Sequence, residues 1–271
     1  MTASDRIRDK TIADFGEQWT RYRDNEGFYG SQDLFADILG PLLRPEEIEG
    51  KDVADIGSGT GRIVRMLLNA GARRVVAVEP SEAFDVLVDN LRSFRDRVEF
   101  VRGPGEALPQ VGSLDAVFSI GVLHHIPDPD PVVRAAYRAL KPGGRFVVWL
   151  YGKEGSRLYL ALLAPLRLFA RSAPHWLVAT LAWVLYLPLA LYIRLCRWLP
   201  LPLRRYMTEV IGKMSPDKRR LVIYDQLNPT YAKYYTRDEA RDLLLRSGFE
   251  EVVLHHRHGY SWTVVGVKKN P

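Results

Sequence analysis

The stretch Val53-Ala54-Asp55-Ile56-Gly57-Ser58-Gly59-Thr60-Gly61, followed by Arg74-Val75-Val76-Ala77-Val78-Glu79, decides the fold. Val53 to Ile56 read as a buried strand, and the glycines after them as a tight turn into a helical stretch from Arg62 to Leu68. Such a turn lets backbone N–H groups come close to a ligand. The run Arg74 to Val78 reads as the next parallel strand, which puts Glu79 at its C-terminal end, where open α/β sheets bind ligands. A carboxylate there can accept hydrogen bonds from both hydroxyls of a ribose. The spacing separates this turn from the dinucleotide fingerprint, whose third glycine would fall on Arg62, whereas here it is Gly61.

The pattern Asp-x-Gly-x-Gly-x-Gly resembles motif I of the class I S-adenosylmethionine-dependent methyltransferases, in the small-molecule, UbiE-like bacterial branch. Three further matches follow in order. Arg102-Gly103-Pro104-Gly105-Glu106-Ala107-Leu108-Pro109 is similar to the third motif, with Pro104 where an aspartate is usual. Ser113 to Ile126 resembles the fourth motif and its strand, and Leu140 to Trp149 the helix end, Lys-Pro-Gly-Gly turn and fifth strand. The resemblance implies a Rossmann-like seven-stranded α/β sheet, mostly parallel with an antiparallel C-terminal strand, and S-adenosyl-L-methionine as cofactor. It also implies a cofactor site made of Asp55, Gly57, Ser58, Gly59, Gly61, Glu79, Pro80, Gly105, Glu106 and Ile120. Asp55 would hold the turn or accept a bond from the methionine ammonium. Gly105 or Glu106 would address the adenine, and the Ile120 carbonyl the ammonium.

Methyl transfer from a sulfonium is an in-line displacement with an activated leaving group, so the protein chiefly has to align donor and acceptor. A base is needed where the acceptor must lose a proton. His124 and His125, just after the fourth strand, are the candidates, with Tyr231, Tyr235 and Asp225 as pocket groups; the histidine pair can equally serve to shape the pocket. His255, His256 and His258 show no third ligand nearby, and adjacent strand residues point to opposite faces, so no metal is expected.

The chain has 271 residues, of which 47% are hydrophobic, enough for one catalytic domain with additions. The boundaries read as an N-terminal helical cap (1–50), a cofactor-binding core (51–152), an apolar basic insertion (153–230) and a C-terminal helix and hairpin (231–271). In the cap, Asp14-Phe15-Gly16-Glu17-Gln18-Trp19 resembles an opening seen in bacterial methyltransferases whose first helices close over the cofactor. Packing of these aromatics on the sheet is the other reading. The single cysteine, Cys196, rules out an internal disulfide, and the first residues lack an apolar signal core, so a cytoplasmic location is expected.

The insertion carries no acidic residue between Glu154 and Glu209 but seven arginines, while the whole chain has a net charge of +6, so the rest is close to neutral. Trp176 to Ile193 has no formal charge and nearly the length of a bilayer span. Pro188 interrupts it, and Pro165, Pro174, Pro200 and Pro202 are expected to break the neighbouring helices. Basic helices rich in tryptophan suit the plane of an anionic membrane; a soluble lid, a dimer face and true insertion are the alternatives. The arginines are embedded among Leu, Ala, Val and Trp, which argues against nucleic acid as a partner. The functional expectation is methyl transfer to a small lipophilic or lipid-like acceptor, with peripheral membrane contact. A soluble natural-product methyltransferase and a non-catalytic, membrane-docked cofactor-binding factor are the alternatives. After the insertion, Asp225 to Tyr231 resembles an acceptor-facing stretch, and Thr236-Arg237-Asp238-Glu239 reads as a capping box opening a helix to Ser247.

Overall fold

In the computed structural model, residues 3–109, 112–155, 157–170, 173–228 and 230–270 are described. Seven strands form one sheet: β1 (Asp52–Ile56), β2 (Arg74–Glu79), β3 (Val98–Arg102), β4 (Leu114–Ile120), β5 (Leu140–Tyr151), β6 (Phe249–Arg257) and β7 (Ser261–Lys268). Their order is β3-β2-β1-β4-β5-β7-β6. The first five pair in parallel, and β7 runs antiparallel to both β5 and β6. The order reverses between β1 and β4, and there the strand ends leave a crevice.

The helices are α1 (Ala3–Arg21), α2 (Gln32–Leu39), α3 (Arg62–Asn69), α4 (Ala83–Asn90), α5 (Asp130–Ala139), α6 (Arg157–Ala170), α7 (His175–Cys196), α8 (Pro216–Leu227) and α9 (Arg237–Leu245). They cover both faces of the sheet, which is why its central strands read as unbroken apolar runs. Val75 and Ala77 of β2 join a core with Leu34, Phe35, Met66 and Leu67, whereas Val76 and Val78 join another with Val132, Ala136, Leu243 and Leu244. The pleat sends alternate residues to opposite sides, so one strand serves two cores.

Local chemistry explains the boundaries. The expected helical region before the sheet is interrupted by a 3₁₀ turn at Gly27–Gly30, and Ser31 then caps α2 by accepting from the Leu34 N–H at 3.1 Å. The capping box at α9 is present in both directions, with Glu239 N donating to Thr236 Oγ1 (3.3 Å) and Thr236 N to Glu239 (2.9 Å). That helix ends at Leu245, short of Ser247.

Two expectations are corrected. Lys141 to Gly144 do not form a turn ahead of β5: Leu140 already pairs with Leu114, and the ladder resumes at Arg145 with Ala116, so the residues between them make a bulge. Pro165 and Pro188 lie inside α6 and α7 without ending them. The carbonyls they leave without a helical donor belong to Ala161 and Val184, both exposed. Pro174, by contrast, sits at the N-cap of α7.

Candidate active site

The glycine turn is a close-packed cradle. Gly57 has φ +77°, and a Cβ there would lie 2.5 Å from Val122 Cγ2. Its N–H and that of Ser58 both donate to the Val78 carbonyl, at 2.8 and 3.0 Å, which ties the turn to β2. Glu79, at the end of β2, is 5% exposed; its Oε2 accepts from the Gly59 N–H at 2.7 Å and its Oε1 from the Ser81 N–H at 3.0 Å. The carboxylate thus orders the turn while it faces the cavity. Beneath them Asp55 is buried, and burial pushes its carboxyl up to about 7. Its Oδ2 has no hydrogen-bond partner among the described residues.

The cavity has a volume of about 500 Å³ and runs from this cradle to a chamber roofed by Leu185 and Leu189 of α7 and by Tyr206, Met207 and Val210. The last three belong to a single π-helical turn, Tyr206–Val210, a geometry frequent at functional sites. From the N-terminal side α1 contributes Phe15 and Trp19. The Phe15 ring meets His125 edge-on with centroids 4.7 Å apart, and the Trp19 indole lies 3.3 Å from the position of a Cβ on Gly59. Gln18 Nε2 donates to Asp225 Oδ1 at 2.8 Å, and Thr230 N donates to Asp14 Oδ2 at 3.0 Å, so α1 is latched to the segment after α8.

One end of the chamber is polar. The Tyr151 hydroxyl donates to Asp225 Oδ2 (3.1 Å) and accepts from Gln226 Nε2 (2.7 Å). Arg167 donates to the Gln226 carbonyl (2.7 Å) and to the Tyr234 hydroxyl (3.0 Å). His125 Nδ1 lies 2.8 Å from the Tyr231 carbonyl, an acceptor only, so that nitrogen carries the proton and Nε2 keeps its lone pair. Burial first, and Arg167 with it, draws the His125 imidazole down to about 4, partly opposed by Asp225.

The expected residues separate into two groups. Gly57, Ser58, Gly59, Glu79, Pro80, Gly105, Glu106, Ile120 and His125 line the cavity. Asp55 and Gly61 lie off its wall: Asp55 is buried under the turn, and Gly61 packs toward Leu87 and Leu91. His124 is corrected as a pocket group, since its ring is buried between Tyr151 (centroids 3.9 Å) and His125 (4.2 Å), and burial pulls its pKa well below the usual value. Tyr231 contributes a backbone carbonyl, and Tyr235 is a core residue; Tyr234 takes the wall position. Pro229 lies outside the described residues.

Tyr151, Gln226, Tyr234 and Arg167 were not legible as site residues. Arg167 reads in sequence as one of the insertion's membrane-type arginines, but α6 turns it inward to this network. His256 stacks on Trp262 and His258 pairs with Asp37, on separate partners.

Residues 54–148 match the methyltransferase domain family. The chain is similar to tRNA U34 carboxymethyltransferases of Pseudoalteromonas translucida (30% identical over 148 residues, 54% of this chain and 45% of the relative) and Chromohalobacter salexigens (33% over 123 residues, 43% and 36%). It spans less than half the length of these curated relatives. Among solved structures, the Burkholderia thailandensis 1,6-didemethyltoxoflavin-N1-methyltransferase with bound S-adenosylhomocysteine is similar over 100% of this chain and 92% of its own, with a TM-score of 0.59 and 16% identity. Human N-acetylserotonin methyltransferase in complex with S-adenosylmethionine is similar over 90% and 52%, with a TM-score of 0.50 and 15% identity.

Residues 54–148 are thus similar to a methyltransferase domain, and the chain shares the fold of the solved methyltransferase of Burkholderia thailandensis. One expectation is overturned. Relatives named for a tRNA nucleotide conflict with a partner set that excludes nucleic acid in favour of a lipid-like acceptor. The embedded arginines belong to the insertion, outside the matched residues 54–148, so their setting carries no information about what the shared core acts on.

Proposed function

We propose that the protein is a cytoplasmic S-adenosylmethionine-dependent methyltransferase of the small-molecule branch, whose acceptor presents a largely apolar, ring-sized group to the chamber. The observation that carries this reading is the continuity of one cavity from the Glu79 cradle to the α7 roof. The residues fit the cofactor: a turn that side chains cannot fill at Gly57, a buried carboxylate at its rim, and an unpartnered Asp55 oxygen below. When bound, S-adenosylmethionine supplies an electrophilic methyl group on a sulfonium.

Glu79 would accept from the ribose hydroxyls chiefly with Oε2, which takes only the Gly59 N–H, since Oε1 already accepts from both the N–H and the hydroxyl of Ser81. Gly105 and Glu106 would bound the adenine, and the Ile120 strand end the methionine portion. Leu185, Leu189 and Tyr206 exclude water and hold the acceptor in line, the main contribution such a transfer asks of a protein. His125, neutral at pH 7 with Nε2 unprotonated, would accept a proton from an acceptor O–H or N–H. Tyr151, Gln226 and Tyr234 would orient the acceptor's polar edge.

The test is transfer of radiolabelled methyl from S-adenosylmethionine into a fractionated extract of organic-soluble metabolites, with tRNA run alongside. Label in apolar small molecules is the expected result. Label in tRNA alone, or no saturable cofactor binding by calorimetry, would overturn it.

A further inference from the structure

We propose that the outer face of α7 lies flat on an anionic phospholipid surface. Among the described residues α7 is the helix long and apolar enough to cross a membrane, with 22 residues; that is about 33 Å of helix. Its inner stripe is already committed. Val178 and Ala182 are buried with Tyr224 and Leu227 of α8, and Ile193 with Ile211 and Leu221. His175 is held at the other end, with Nδ1 2.5 Å from the Tyr224 hydroxyl and Nε2 2.7 Å from Glu17. A helix packed along one side against the fold cannot be ringed by lipid, so contact along its length is the geometry that remains.

The outer stripe is apolar apart from Thr180 and Arg194. Trp176 (65% exposed), Trp183, Leu187 (68%), Leu191 and Leu195 follow one another at helical spacing, and Trp198 (82%) continues the line. A contiguous apolar patch on the surface marks an interaction site, and tryptophan favours a boundary between hydrocarbon and water. Charge selects the partner. No acidic residue occurs from Gly155 to Thr208. Arg194, Arg197, Arg204 and Arg205 are all exposed at the C-terminal end of the stripe. Arg194 and Arg197 flank a hollow of about 360 Å³ beside Trp198, where their planar guanidinium groups suit a lipid phosphate, while Arg219 on its far wall donates to the Ile211 and Gly212 carbonyls. A second copy docked with the two α7 helices parallel would press the same arginines against each other.

Co-sedimentation of the full chain with phosphatidylcholine vesicles, with and without phosphatidylserine, tests the proposal. Sedimentation with the serine-containing vesicles, weakening as salt rises, is expected. Arg194→Gln with Arg197→Gln should weaken binding roughly thirtyfold, and Leu187→Ser with Leu191→Ser and Trp198→Ser should abolish it. Neither variant touches the cofactor cavity, so unchanged S-adenosylmethionine affinity certifies the fold. Failure of the wild type to sediment, binding indifferent to phosphatidylserine, retention by the variants, or a wild-type dimer that the serine variant splits would each overturn the proposal.

Discussion

Replacing Glu79 with alanine tests the proposed site most directly, because this carboxylate holds the glycine turn and is the proposed acceptor for the ribose. It is 5% exposed, so solvent screens it little, and it holds the Gly59 N–H at 2.7 Å and the Ser81 N–H at 3.0 Å. A hydrogen bond to a charged group contributes about 1.5–3 kcal/mol, so losing the ribose contact alone should weaken S-adenosylmethionine binding roughly 10- to 150-fold. The variant also orphans the Gly59 N–H in a buried turn, which adds a cost felt without cofactor as a lower Tm. Glu79→Gln keeps one acceptor oxygen but no charge, and should fall between wild type and alanine. Titration calorimetry with S-adenosylmethionine and S-adenosylhomocysteine measures the effect. Wild-type affinity in a folded Glu79→Ala protein would refute the assignment of the cavity's polar end as a ribose site.

Gly57→Ala places a Cβ 2.5 Å from Val122 Cγ2 at a φ of +77°; the left-handed backbone alone costs about 1–2 kcal/mol, and calorimetric scanning should show a clear fall in Tm. Asp55 has a pKa raised to about 7 against 3.8 when solvated, so the native state holds the proton more tightly and stability falls as pH rises between these values. Asp55→Asn should flatten that decline, and equal slopes from pH 5 to 8 would refute the reading. His125 behaves in the opposite sense: its native pKa of about 4 lies below 6.5, so its contribution to stability is present above 6.5 and is lost as pH falls toward 4. His125→Ala should reduce kcat about 100-fold or more for an acceptor that must lose a proton, and kcat of the wild type should show no acid limb near 6.5.

The glycine turn, the two strands around it and the acidic residue at the second strand end were legible because backbone geometry there admits few residue types. The capping box at Thr236 and the hairpin after Gly248 were legible for the same local reason. Proline was misleading: Pro165 and Pro188 look like helix breaks, but their lost hydrogen bonds fall on exposed carbonyls, and the helices continue. The histidine pair looked equivalent in sequence, yet a one-residue difference puts His125 on the cavity wall and His124 under Tyr151.

The sequence by itself determined the α/β order, the cradle and the place of Glu79, since each depends on spacing within a few residues. Only the tertiary structure decided which polar groups gather at the end of the chamber. Tyr151, Arg167, Gln226 and Tyr234 meet from β5, α6, α8 and the segment after α8, and nothing in their local sequence records that meeting. The same holds for α7, whose nearly uniform apolar sequence hides a division into a buried stripe and an exposed one. Periodicity reports a face only where polar and apolar residues alternate; where both faces are apolar, packing alone assigns one to the cavity roof and leaves the other open.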